Sequence, residues 1–107
     1  MSVPVVLPPE AEEQVRGIDF WWRGSRPLAP GLFTEELAAA FELLGAAPFA
    51  GRRYPHPEVQ DVRRVLLRST RYHVYYRVQE DAVIVLAVWS AVRGTGPKLS
   101  GADSAQE

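Results

Sequence analysis

Residues 62–89 read VRRVLLRSTRYHVYYRVQEDAVIVLAVW, and the alternation inside this stretch decides the fold. Val62 to Arg68 alternates imperfectly, Tyr72 to Val78 alternates cleanly, and Ala82 to Trp89 is apolar on both faces. Period-two patterning in short β-branched and aromatic runs is the mark of strands. In the middle run Tyr72, Val74, Tyr76 and Val78 fall on one face, and His73, Tyr75 and Arg77 on the other. Ser69-Thr70-Arg71 and Glu80-Asp81 are short enough for hairpin turns, so the spacing predicts a three-stranded antiparallel meander.

Upstream of the meander, residues 45–61 form a loop punctuated by Pro48, Gly51, Pro55 and Pro57, with a basic and aromatic segment Arg52-Arg53-Tyr54-Pro55-His56. Before it, Pro30 to Leu44 reads as a helix whose stripe is Phe33, Leu37, Phe41 and Leu44, with Gly45 placed to cap its C-terminus. An earlier helix starts at Pro9, with Glu10, Glu12 and Glu13 where the helix dipole favours negative charge. Its face is Ala11, Val15, Ile18 and Trp22, and Gly24-Ser25 ends it. The short link makes the two helices antiparallel neighbours. Val3 to Leu7 is a short strand stopped by Pro8-Pro9. The predicted fold is α+β in the order β-α-α-β-β-β, with the helix hairpin packed on one face of a small, largely antiparallel twisted sheet. Trp22 and Phe41 are expected to meet between helices and sheet, and the opposite face is expected to be open and to carry Arg and aromatic side chains. Residues 1–93 form a single domain, and residues 94–107, rich in Gly and Ser, are expected to be a flexible tail.

With 107 residues the chain holds one small domain, and the absence of cysteine excludes disulfide scaffolds, thiolate zinc sites and thiol catalysis. No apolar run approaches a membrane span and no leader is visible, so a cytoplasmic protein without membrane contact is expected. The net charge of −1 conceals an asymmetry. Residues 51–78 hold seven arginines against Glu58 and Asp61, and eleven of the twelve basic residues are Arg. Arginine favours planar bidentate contacts to carboxylate or phosphate, which suits an anionic partner; a solvated sheet face is the plainer reading of the same pattern.

The order of elements and its residues resemble the RelE/ParE superfamily of bacterial type II toxins. The resemblance rests on Ala11, Val15, Ile18, Trp21 and Trp22 in the first helix and on Phe33, Leu37 and Phe41 in the second. It continues through the corner Leu44, Pro48, Gly51 and Arg52, the strands Val62 to Leu67, Tyr72 to Val78 and Val83 to Val88, and Arg93, covering about residues 3–99. It implies a toxin silenced by a cognate antitoxin, acting either on DNA gyrase without RNA cleavage, as ParE-like members do, or on mRNA in the ribosome, as RelE-like members do. A third implied reading is a degenerate member that still binds antitoxin and helps repress its operon, meeting DNA only through the antitoxin.

Strand scission by a 2′-hydroxyl needs a base, cations for the transition state and an acid for the leaving oxygen. If the chain is a nuclease, Arg64, His73, Arg77 and Arg93 are the candidates. His73 takes the place where RelE-like enzymes usually carry Arg, and Gly94 to Leu99 contain no Tyr or His. ParE-like chains often carry His three residues before the final Arg, where this chain has Ser90 after Trp89. The constellation is incomplete, so the ParE-like reading is favoured, with no catalytic residue assigned. Partner contact is then expected from Arg63, Arg64, Arg68, Tyr75, Arg77 and Arg93, in a hetero-oligomer with the antitoxin. His56 has no visible partner, and the two histidines lack a nearby acidic motif, so neither metal nor cofactor is expected.

Overall fold

The structure is a computed structural model that describes residues 2–99. Its elements are β1 (Val5–Val6), α1 (Pro9–Ser25), α2 (Leu32–Ala46), β2 (Arg52–Arg53), β3 (Arg63–Leu67), β4 (Tyr72–Gln79) and β5 (Ala82–Ser90). The sheet order is β1-β5-β4-β3-β2, with β1 parallel to β5 and every other pair antiparallel. The expected meander is the centre of this sheet. The expected order gains one strand, because Arg52 and Arg53 pair with Arg64 and Arg63. Two consecutive arginines in a Pro-rich loop carry no strand pattern, and tertiary pairing alone makes them one.

α1 begins with Pro at its first turn and ends at Ser25, as its sequence signals require. The hairpin between the helices is closed by Trp22, whose indole Nε1 donates to the Ala29 carbonyl at 2.8 Å. α2 runs past Gly45 to Ala46, so Gly45 is no C-cap. It is a contact point instead: Val3 N–H donates to its carbonyl at 2.9 Å, and a Cβ there would sit 3.2 Å from the Val3 oxygen. The glycine lets the N-terminal segment lie against the helix.

Between helices and sheet, Ala11, Trp22, Phe33, Leu37, Leu67, Val74, Val85 and Val88 form the main core, with Leu44, Tyr76 and Val83 as a second cluster beside it. Phe33, wholly buried, meets Tyr72 edge to face at 5.4 Å. Phe41 packs against this core, which contains Trp22, and remains partly exposed, while Phe33 is wholly buried within it. Along β5 the register slips: Tyr75 pairs with Ala87 and Tyr76 with Val85, leaving Leu86 as an extra residue. This bulge lets Val83, Val85 and Val88 share the helix side while Ala87 faces away.

The face away from the helices is not open at its centre. Val59 and Val62 from the loop before β3, and Leu99 beyond β5, bury Tyr75 and Ala87 there. Leu99 is only 6% exposed, Trp89 Nε1 donates to the Thr95 carbonyl at 2.9 Å, and a Cβ on Gly96 would lie 2.7 Å from the Tyr54 hydroxyl. The expected tail at 94–107 falls outside the described residues from Ser100 onward. Among the described residues no helix is long and apolar enough to cross a membrane.

Candidate functional site

Cross-strand register places Arg64 opposite Tyr75, and Leu66 opposite His73, on the face away from the helices. The Arg64 guanidinium lies 4.8 Å from the Tyr54 ring centre and 5.8 Å from that of Tyr75, and its Nη1 donates to the Tyr75 hydroxyl at 3.2 Å. Tyr54 meets Tyr75 edge to face at 4.9 Å, and His73 also meets it edge to face, at 5.8 Å. A cation thus lies beside a packed pair of phenol rings, with an imidazole as the next neighbour. Burial pushes the His73 pKa down, and the positive charges of Arg64 and Arg71 push it the same way. The imidazole is therefore neutral at pH 7 and able to accept a proton or a hydrogen bond.

His73 also pairs in register with Trp89, and the Arg93 guanidinium stands 5.0 Å over the Trp89 ring. Arg64, Tyr75, His73, Trp89 and Arg93 therefore follow one another across the sheet. Arg77 shares the face by alternation, two residues beyond Tyr75. Arg63 does not. It lies on the opposite face, its Nη1 donating to the Gly51 and Phe49 carbonyls at 2.9 and 3.2 Å while its guanidinium covers the Phe49 ring. Arg68 is exposed just past the end of β3. His56 serves its own loop, its Nδ1 accepting the Glu58 N–H at 3.1 Å. Among the described residues no group of three or more acids and histidines is placed to hold a metal ion.

A second feature lies on the other flank of Arg93. A groove of about 550 Å³ runs between α1 and the end of β5, walled by Gly17, Ile18 and Trp21 on one side and by Val88, Trp89 and Val92 on the other. Arg93 and Tyr72 stand in its lining. Burial raises the Tyr72 pKa, and Arg93 and Arg26 oppose that rise, so both cations act at this place. Arg26 itself lies against Trp21 and Trp22 at 5.4 and 5.6 Å. Sequence reading did not single out Gln14, Gly17 or Tyr54 as site residues. Tyr54 did carry a signal, since it stands in the one loop segment that is both basic and aromatic.

Residues 5–93 match the family model described as ParE toxin of the type II toxin–antitoxin system parDE. A structure of the chromosomal ParDE toxin–antitoxin system from P. aeruginosa superposes with a TM-score of 0.68 at 14% identity, covering 83% of this chain and 96% of that one. A mutant of the E. coli toxin RelE in the free state superposes with a TM-score of 0.56 at 20% identity, covering 86% of each chain. No curated protein sequence matches the chain. The two structural likenesses concern the fold; the family match, which spans the sheet, both helices and Arg93, carries the assignment, and the chain belongs to the ParE toxin family of type II toxin–antitoxin systems.

Proposed function

We propose that this toxin inhibits DNA gyrase by protein–protein contact and is neutralised by a cognate antitoxin that binds it as a hetero-oligomer. The observation that carries the reading is the ParE match over residues 5–93. The use of the arginines supports it. Arg63 is tied to loop carbonyls and Arg64 to two tyrosines, which suits scaffolding and recognition rather than charge stabilisation at a reacting phosphate. The centre of the sheet face is covered by the chain's own Leu99.

One arrangement favours the RelE-like alternative, an mRNA interferase: a neutral imidazole, His73, stands between the positions of Arg64 and Arg93. Induced expression separates the two readings. A gyrase inhibitor blocks supercoiling by purified gyrase and leaves translated mRNA uncut, and His73→Ala keeps its growth arrest. A nuclease would lose roughly 10²–10⁴-fold in cleavage with the same substitution, the usual worth of a general acid or base. Loss of both toxicity and mRNA cuts in folded His73→Ala sinks the gyrase reading.

A further inference from the structure

At the β2 edge of the sheet, pairing sets arginine opposite arginine: Arg52 with Arg64, and Arg53 with Arg63. The Tyr54 N–H donates to the Val62 carbonyl at 2.8 Å, so the pair just past Arg53 and Arg63 is hydrogen-bonded. Hydrogen-bonded and non-hydrogen-bonded pairs alternate, which leaves Arg53 and Arg63 as the second kind, with side chains closest together. Like charges directly opposite destabilise a sheet. The ion pairs among the described residues are Arg16–Glu13 and Arg23–Asp19, so no carboxylate of the described chain relieves Arg53 or Arg63.

Arg63 is fixed in a posture that suits an anion. Its Nη1 spends both hydrogens on the Gly51 and Phe49 carbonyls, and its guanidinium stands 5.2 Å from the Phe49 ring centre. The Nε–Nη2 edge, which can grip an oxyanion with two parallel N–H bonds, makes no hydrogen bond to the described residues. A pocket of about 200 Å³ opens here, lined by Phe49, Arg53, Asp61, Val62, Arg63 and Val78. Pockets that enclose organic ligands run to roughly 300–1,000 Å³, so this one suits a single small ion. Asp61 holds a left-handed backbone, φ 61°, and lies beyond ion-pair distance of both arginines. Its carboxylate is an acceptor that neither arginine uses.

We propose that Arg53, Arg63 and Asp61 form a binding site for a phosphate that keeps a proton. The free edge of Arg63 and the Arg53 guanidinium take its oxygens, and the Asp61 carboxylate accepts its P–O–H hydrogen. Two cations outweigh one carboxylate, so the pocket attracts an anion. The carboxylate then selects among anions, because it repels any oxyanion that has no hydrogen to offer it. Inorganic phosphate retains such a hydrogen at neutral pH and sulfate does not. The free ion and a protonated phosphate monoester present this same chemistry. Occupancy relieves the repulsion that strand pairing imposes at β2. The site is independent of the toxin–antitoxin reading and lies across the sheet from Tyr75.

The full chain is titrated with sodium phosphate at constant ionic strength and neutral pH while the backbone amide resonances of Arg53, Asp61 and Arg63 are followed. We expect the three to shift together and saturate, and sulfate to bind about tenfold or more weakly, the worth of one hydrogen bond to a charged group. Arg53→Gln changes an exposed side chain and should weaken phosphate by about tenfold. Asp61→Asn keeps a residue that tolerates the left-handed backbone and replaces the acceptor with an amide that can also donate. It should bring phosphate and sulfate to within about threefold of each other, chiefly by strengthening sulfate. Glycerol phosphate, mostly unprotonated at neutral pH, should bind less well than the free ion; equal binding assigns the site to the phosphate of a larger molecule. Sulfate binding as tightly as phosphate in the parent chain overturns the proposal. So does unchanged selectivity in Asp61→Asn, unchanged affinity in Arg53→Gln, or a parent chain whose three resonances do not respond to phosphate.

Discussion

On the helix side of the sheet, Phe33, Val74, Val83 and Val85 are wholly buried by side chains from two long helices. On the other side, Tyr75 and Ala87 are closed off by Val59, Val62 and Leu99, which come from a loop and from the chain beyond β5. The two sides share the same central strands but differ in how their cover is fastened. Helix cover is held along its whole length by its own backbone bonds, so removing it means unfolding α1 or α2. Irregular cover is held at single points, so it opens at a lower free energy than the global one. The exposed aromatic and cationic groups lie on the second side and along the flank of Arg93, where parts can shift without loss of the core.

The largest expected effect breaks or upholds this contrast directly. Phe33→Ala should cost about 3–5 kcal/mol, because the site is enclosed and cannot collapse, and this approaches the whole stability of a domain this small. Leu99→Ala should cost about 2 kcal/mol, the low end for Leu→Ala, since a strap can settle into the space. Phe41→Ala should cost less than Phe33→Ala because Phe41 keeps part of its ring in solvent. Equilibrium urea unfolding of the three variants gives the order. Equal losses for Phe33→Ala and Leu99→Ala would mean that the two covers are equally fixed.

A smaller effect is expected where the segment leading into β2 is bolted to the buried Tyr76. The Gly51 N–H donates to the buried Tyr76 hydroxyl at 2.8 Å. A Cβ on Gly51 would lie 2.6 Å from that oxygen and 2.9 Å from the Arg64 carbonyl. Gly51→Ala should therefore cost about 1–3 kcal/mol through overpacking. Tyr76→Phe should cost about 1–3 kcal/mol by leaving a buried N–H unpaired. Because both act on one contact, the double variant should lose less than the sum of the two. Additive losses in thermal or urea unfolding would show that the bolt does not act as one unit.

The helix-side core was largely legible in the sequence, since Ala11, Trp22, Phe33, Leu37 and Val74 repeat at the helix and strand periods that bury them. What the periods could not rank was depth: Phe33 and Phe41 share a stripe, and only the position of the sheet decides which is enclosed. Gly45 read as a cap because glycine after a stripe usually is one; the approach of Val3 from a distant part of the chain was invisible. The cover over Tyr75 was illegible for a similar reason. Val59 and Leu99 are isolated apolar residues in irregular segments, with no period to announce them, and Val62 reads as the start of a strand although it lies just before β3. Arg63 and Arg64 are adjacent and chemically equal, so the sequence offers both as partner contacts, yet strand alternation sends them to opposite faces with different neighbours. The groove combines α1 with the end of β5, far apart in the chain, and no local pattern reports such a meeting.

The smallest expected effect concerns acid, and it again sets the two sides against each other. On the helix side, Glu36 of α2 accepts the Ser69 N–H at 2.7 Å and the Thr70 N–H and hydroxyl at 3.0 and 2.7 Å, holding the β3–β4 turn. Burial pushes the Glu36 carboxyl up, but these hydrogen bonds outweigh it and the net shift is downward from 4.5. On the other side the His73 pKa is pushed down from 6.5 by burial and by Arg64 and Arg71. Both groups bind protons more readily in the unfolded chain, so both contribute stability that is lost as pH falls. The windows differ in order: the His73 contribution begins to fade as pH drops below 6.5, and that of Glu36 only below 4.5. Melting temperatures followed downward in pH should therefore decline in two stages. His73→Gln should flatten the first stage and leave the second, while Glu36→Gln should flatten the second and leave the first. A first stage unchanged in His73→Gln would show that the imidazole is as well hydrated in the folded chain as in the unfolded one. The face around Tyr75 would then be looser than its buried tyrosine implies.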